Sequence, residues 1–497
     1  MLTLYVKGKC MSENSFSYLL QEHMRRRKVS RGELAAATGV GPVIFKYVKG
    51  TRPVPKLEIV EKMADCLQLS INDRKELIHA WRVNTYGQAR MERWDHVSEF
   101  FRHFRADPMV EPAFSFQPAL EERKENISFL YSDFDVQQAI LAVMEAESHQ
   151  DGGGDVFAVM AADDRKLIEC FYIAESHMKQ LHIHHVLKLS VHSEDAARQE
   201  AGEKLSPESL KFLQQTIPLN LKSPNYESRY FYSDNVRSDH WPLNASFILS
   251  EKRAVVYGEG NRGLCGIYAK DPGLVCYVRS LFDEIYHETQ PFLVKSMSPE
   301  ELLDRVYPNK ETEEVRPVYG YDEQPCLSAC LTRHMLEKYA RMDEVPPELV
   351  QAYLQFIQRY KSEKKFPEME YSYISGISRF LKTGRLDEIP ESLYLPWEMK
   401  DRIAVIENWQ KARKDHQTKF LRENGHRNVH LTVVIWKQTM TIDFQEKDEI
   451  CKFMTQERDL IDSFTDYFDH LNPDLILPEE EADRQIRELL DQAKKSL

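Results

Sequence analysis

Five of the 17 histidines fall between positions 177 and 192: His177, His182, His184, His185 and His192. In an extended segment His182 and His184 lie on one side, a spacing that can hold a transition metal. No cysteine or carboxylate completes the set at fixed spacing, so the stretch reads as a polar strand with an adjoining helix end. No metal or cofactor is expected. Cys326 and Cys330 sit one helical turn apart beside Pro325 and read as two half-buried thiols rather than ligands. Gly258-Glu259-Gly260-Asn261-Arg262-Gly263 spells GxGxxG after a strand-like run. A pyrophosphate needs a helix N-terminus next, and Leu264-Cys265-Gly266-Ile267-Tyr268 is strand-like instead, so a β-hairpin is expected there.

Catalytic constellations are missing. There is no Gly-x-Ser-x-Gly elbow, no phosphate-binding Walker loop, no His-Glu-x-x-His pair and no zinc-deaminase pattern. His177-x-Lys179 resembles a fragment of the phospholipase-D motif, without the downstream Asp or a second copy. The expectation is a chain that is not an enzyme.

The elements that position these residues belong to a chain of 497 residues, 42% hydrophobic and 29% charged. At roughly 150 residues per domain this suggests about three domains. No window holds the roughly 18 to 20 apolar residues of a membrane span, and MLTLYVKGKC has no long apolar core, so a signal peptide is not expected there. Eight cysteines are too dilute for a disulfide scaffold, so a cytoplasmic location is expected. Leu2 to Val6 is a strand-like run foreign to the helical stretch after it. Met11 is therefore the expected initiator, or residues 1–10 are loosely attached. The charge is uneven: residues 1–105 hold 19 Lys and Arg against 11 Asp and Glu, in a chain whose net charge is −13. A basic head on an acidic body suits a nucleic-acid-binding module joined to something else.

The head reads as a series of short helices. Phe16 to Lys28 places Phe16, Leu19, Leu20 and His23 or Met24 on one face. Ser30 precedes Glu33 by three residues, the spacing of a capping box, and Leu34, Ala35 and Ala37 give the second helix its apolar side. Gly39 supplies the positive φ of a tight turn that Val40 plugs. Pro42 opens a third helix running to Val48, and Gly50 ends it. Thr51-Arg52-Pro53-Val54-Pro55 turns into a helix from Lys56 to Leu67. This stretch resembles the lambda-repressor-like, XRE-type helix-turn-helix family through Glu33-Leu34-Ala35, Gly39-Val40, Phe45 as the buried recognition-helix hydrophobe, Gly50-x-Arg52 and Leu57 to Leu69. It departs from the family at Arg31, where a Gln is frequent, and at the apolar Pro42-Val43.

The resemblance implies double-stranded DNA as partner. The third helix would enter the major groove, exposing Gly41, Pro42, Val43, Lys46 and Lys49, while Ile44, Phe45 and Val48 face inward. Lys46 would donate to guanine, Val43 would pack on a thymine methyl, and Ser30, Arg31, Lys49, Thr51 and Arg52 would meet phosphates.

The expected fold class is multidomain α+β. Its parts are an all-α helix-turn-helix domain at 11–87, a helical linker at 88–124, a central α/β sheet domain at 125–297 and a mostly α-helical C-terminal region at 298–497. Met91, Trp94, Val97, Phe100, Phe101 and Phe104 form an apolar stripe on the helix 88–105, read as core or as the seam of a homodimer. Later helices are expected at Pro299–Val306, Leu327–Arg341, Pro347–Lys361, Tyr371–Thr383, Trp397–Asn424, Ile450–Leu471 and Glu479–Leu497. A hairpin joins Leu431–Trp436 to Met440–Phe444, and no period of 20 to 50 residues recurs. The functional expectation is a one-component transcriptional regulator whose large body senses a small molecule and dimerises. Alternatives are a peptide- or protein-responsive regulator, or an enzyme fused to a DNA-binding head.

Overall fold

A computed structural model describes residues 5–6, 9–10, 15–104, 125–161, 164–178, 180–189, 208–223, 225–232, 245–261, 263–296, 317–327, 330–341, 367–387, 389, 391, 394–413, 417–423, 430–446 and 449–497. Residues 105–124 of the expected linker, the helices at 299–306 and 347–361, Met11, His192 and Lys179 lie outside these residues. The chain forms two compact units that divide between Asp95 and His96.

In the first unit β1 (Tyr5–Val6) pairs antiparallel with β2 (Lys9–Cys10), so the end of the leading strand-like run is a strand. Helices follow at α1 (Phe16–Arg27), α2 (Arg31–Thr38), α3 (Ile44–Val48, entered by a 3-10 turn at Gly41–Val43), α4 (Leu57–Cys66) and α5 (Ile71–Tyr86). Their shared core holds Leu20, Leu34, Ile44, Val48, Val60, Met63 and Leu77. α6 (Gln88–His103) begins in this unit and ends in the next. Its apolar stripe is core: in the second unit, Phe100 and Phe101 stack edge-on against Phe464, and Phe101 also meets Tyr321 and Phe468.

The second unit contains two sheets built on one plan. Its first half runs β3 (Ile127–Leu130), α7 (Asp133–Ser148), β4 (Asp155–Ala161), α8 (Arg165–His177), β5 (His182–Leu189), α9 (Glu208–Lys222), β6 (Tyr226–Tyr232), β7 (Ser246–Leu249), β8 (Ala254–Gly260), β9 (Gly263–Ala269), α10 (Pro272–His287) and β10 (Gln290–Pro291). The second half runs β11 (Val294–Ser296), β12 (Tyr319–Asp322), α11 (Arg333–Tyr339), β13 (Met369–Ser372), α12 (Ile374–Thr383), α13 (Met399–Ala412), β14 (Gln417–Phe420), β15 (His430–Ile435), β16 (Met440–Glu446), β17 (Glu449–Thr455), α14 (Arg458–Asp469) and α15 (Glu479–Lys495).

The first sheet is ordered β10-β6-β5-β4-β7-β8-β9-β3 and the second β14-β13-β12-β15-β16-β17-β11. Omitting β10, every pairing has the same sense. β4, β5 and β6 are parallel, as are β12, β13 and β14. All other neighbours are antiparallel. A capped helix follows the last meander strand in both halves, with Asp271 capping α10 and Glu457 capping α14. The body is therefore an internal structural duplication.

This corrects the expectation of a mostly helical region after 298. Strands replace the end of one expected helix, at Gln417–Phe420, and the starts of two others, at Met369–Ser372 and Glu449–Thr455. In the last, Cys451 and Phe453 face the core while Lys452 points to the other side and pairs with Asp443 at 3.1 Å, a period of two instead of 3.6. Among the described residues the expected α/β alternation of 125–297 holds, and β8 and β9 pair as the expected hairpin, with Gly260 opposite Gly263.

Candidate nucleic-acid interface

Local capping fixes the turn between α2 and α3. The Ser30 hydroxyl accepts from the Glu33 amide at 3.2 Å, and the Glu33 carboxylate accepts from the Ser30 amide at 2.7 Å. That backbone bond holds the Glu33 carboxyl below its ordinary range. Gly39 ends α2 at φ 69, a left-handed conformation that costs glycine nothing. Two side chains of α1 then clamp α3. Gln21 Nε2 donates to the Val48 carbonyl at 2.7 Å, and Ser17 Oγ donates to the Tyr47 carbonyl at 3.1 Å. Ile44 and Val48 are fully buried, which sets the rotation of α3.

That rotation presents the expected residues outward, with two changes. Pro42, Lys46, Lys49, Thr51, Arg52, Ser30 and Arg31 are exposed, whereas Gly41 and Val43 are half-buried. Phe45 is 40% exposed and not the buried hydrophobe expected of it. The reason is helical spacing: Ile44 and Val48, four residues apart, share the inward face, and Phe45, one position on from Ile44, turns out of it. The Arg52 guanidinium lies over the Tyr47 ring, 5.8 Å from its centre. Thr51 and Gly50 donate backbone amides to the Lys46 and Tyr47 carbonyls at 3.0 Å, closing the end of α3.

Three cations of this unit are spent internally: Arg26 pairs with Glu22, Arg74 with Asp65, and Arg27 faces Asp73 at 3.9 Å. Among the described residues no carboxylate pairs with Arg31, Lys46, Lys49 or Arg52. One grouping escaped the sequence reading. A ring nitrogen of His23 on α1 and carboxylate oxygens of Asp73 and Glu76 on α5 lie within 4.8 Å of one another and could hold a cation. His23 is buried, and Asp73 already accepts from Ser70 Oγ at 2.8 Å. Only the turn of α5 that faces α1 brings the three together, so no spacing in sequence signals them.

The remaining chemistry-bearing residues disperse. His182 is exposed, His184 half-buried and His185 sealed on the opposite face of β5. His184 spends one nitrogen on Glu227 at 3.3 Å and the other on Asp155 at 3.1 Å, carboxylates the sequence reading did not associate with it. The Glu227 bond raises the His184 pKa, and the same contact draws Glu227 down to about 2. His185 Nδ1 meets the Tyr226 hydroxyl at 2.6 Å, and burial lowers its pKa to about 3. His177 closes α8. Cys326 and Cys330 form no disulfide and precede α11 rather than riding on it. Among the described residues no helix is long and apolar enough to cross a membrane.

No protein-family model matches the chain, and no curated protein matches it. Two solved structures share distant similarity. One is TrmBL2, an archaeal chromatin protein reported to show a novel mode of DNA binding. It is 10% identical over 56% of this chain and 100% of its own, with a TM-score of 0.20. The other is polyphosphate kinase from Porphyromonas gingivalis, 9% identical over 74% of this chain and 55% of its own, with a TM-score of 0.22. Scores this low carry no argument about fold or function here.

Proposed function

We propose that the chain is a sequence-specific DNA-binding transcriptional regulator of the XRE, lambda-repressor-like type, without catalytic activity, whose duplicated body responds to an effector. The observation that carries this reading is the capped α2, the left-handed Gly39 turn and the clamped α3. Together they display Lys46, Lys49, Arg31 and Arg52 with no internal counter-charge. Lys46 projects from the middle of α3 and is assigned to a base edge. Arg52, stacked on Tyr47 after the turn, is assigned to phosphate.

The two roles separate by mutation on an operator selected in vitro and on scrambled DNA, each at two salt concentrations. Lys46→Ala should lose about 1 to 3 kcal/mol on the operator and relax preference at one position. Arg52→Ala should weaken all sequences alike and reduce the salt slope by about one. Equal losses on both DNAs for Lys46→Ala would overturn its base-reading role. No effect of either variant on any DNA would overturn the regulator reading.

A further inference from the structure

Four strands form the edges of the two sheets among the described residues, and three of them carry residues that block pairing. β10 is Gln290-Pro291, only two residues long, and Pro291 has no amide to offer. β11 carries Lys295 and β14 carries Lys419. Lysine and proline are what natural edges use to refuse another strand. The fourth edge, β3, reads Ile127-Ser128-Phe129-Leu130 and carries neither.

β3 is exposed in the way a pairing strand would be. Ser128 and Leu130 are buried, whereas Ile127 is 43% and Phe129 60% exposed. The Lys270 amide donates to the Asn126 carbonyl at 2.7 Å, with Ile127 opposite Ala269 and Phe129 opposite Ile267. Antiparallel ladders alternate, so Ser128 and Leu130 take the bonded positions toward β9, and the amides and carbonyls of Ile127 and Phe129 face outward. Just beyond the strand, Tyr131 is 79% and Phe134 62% exposed, with the Tyr131 ring 6.5 Å from Phe129.

We propose that β3 is the dimerisation edge of this chain, pairing antiparallel with β3 of a second copy about a two-fold axis. An antiparallel pair of identical strands is self-complementary, which a closed two-fold dimer requires. With roughly 200 Å² per aromatic side chain, Phe129, Tyr131 and Phe134 together expose about 400 Å², or about 800 Å² in the pair. Ile127 and the strand backbone bring this to the roughly 1,000 Å² that a specific interface needs. The stripe on α6 cannot serve, because its phenylalanines fill the chain's own core.

Sedimentation velocity of the full chain at micromolar concentration, without DNA, tests this separately from the DNA-binding reading. The unmodified chain should sediment as a dimer. Phe129→Lys and Tyr131→Lys, both on exposed side chains, should sediment as monomers with unchanged circular dichroism and melting temperature. A monomeric unmodified chain, or variants that both remain dimeric, would overturn the proposal.

Discussion

His185 and Glu457 are both sealed from solvent, and burial acts on them with opposite sign. His185 moves from an ordinary value of 6.5 to about 3, so between those values the unfolded chain binds the additional proton. Its contribution to stability is complete above pH 6.5 and is lost as pH falls toward 3. Glu457, which caps α14 and accepts from the Tyr232 hydroxyl, rises from 4.5 to about 7. The folded chain holds that proton, so its contribution is complete below pH 4.5 and is lost as pH rises through 7. Burial also raises Glu370 and Asp443, which therefore act in the same sense as Glu457. Each group that changes charge on one side of folding contributes at most about 1.4 kcal/mol per pH unit. Urea unfolding between pH 4.5 and 6.5 should show the slope of stability against pH becoming more positive in Glu457→Gln and more negative in His185→Phe. Parallel slopes in all three proteins would mean that neither group titrates as its burial requires.

At the scale of elements, the turn at Gly152-Gly153-Gly154 is written in local residues, because three glycines before a Val-Phe-Ala-Val run can do little else. Gly152 and Gly153 both take positive φ, 87 and 85, but only Gly153 is crowded: an added Cβ would sit 1.8 Å from the Gln180 carbonyl oxygen. Gly152→Ala should therefore cost about 1 kcal/mol from conformation alone. Gly153→Ala should cost about 2 kcal/mol or more, because backbone must move. Thermal melts of the two variants measure the difference, and equal losses would mean the β4–β5 end is soft. The N-terminal helices were legible for a similar reason, since Ser30, Glu33, Gly39 and Gly50 are local signals that need no partner. The strands of the second sheet were not. β12, β13 and β14 are four residues each, and they bury Asp322, Glu370, Ser372 and Thr418, so no apolar alternation marks them. Glu370 is satisfied only across the sheet, by the Thr418 hydroxyl at 2.7 Å and the Cys326 amide at 3.0 Å. Nothing within ten residues of Glu370 announces that bond.

On the scale of the whole chain, the duplication was invisible to a search for periods of 20 to 50 residues because its unit is a complete sheet. It is carried by strand order and sense, not by matching residues. The boundary of the first unit was nearly legible, since Gly87 breaks the helix that ends at Tyr86, yet the unit runs on to Asp95. Trp94 is buried, its ring 5.0 Å from Tyr86, with the guanidinium groups of Arg82 and Arg90 each 5.4 Å from it. A domain of this size is marginal, so one buried tryptophan is a large share of its stability. A fragment of residues 11–95 should fold alone, because Leu20, Leu34, Ile44, Val60 and Leu77 close a core without help from the body. A fragment of residues 11–87 should be less stable by about 2 to 3 kcal/mol, the scale of one large buried side chain. Urea unfolding followed by circular dichroism compares them. Equal midpoints would show that the start of α6 contributes nothing, and an unfolded longer fragment would show that the head depends on the body.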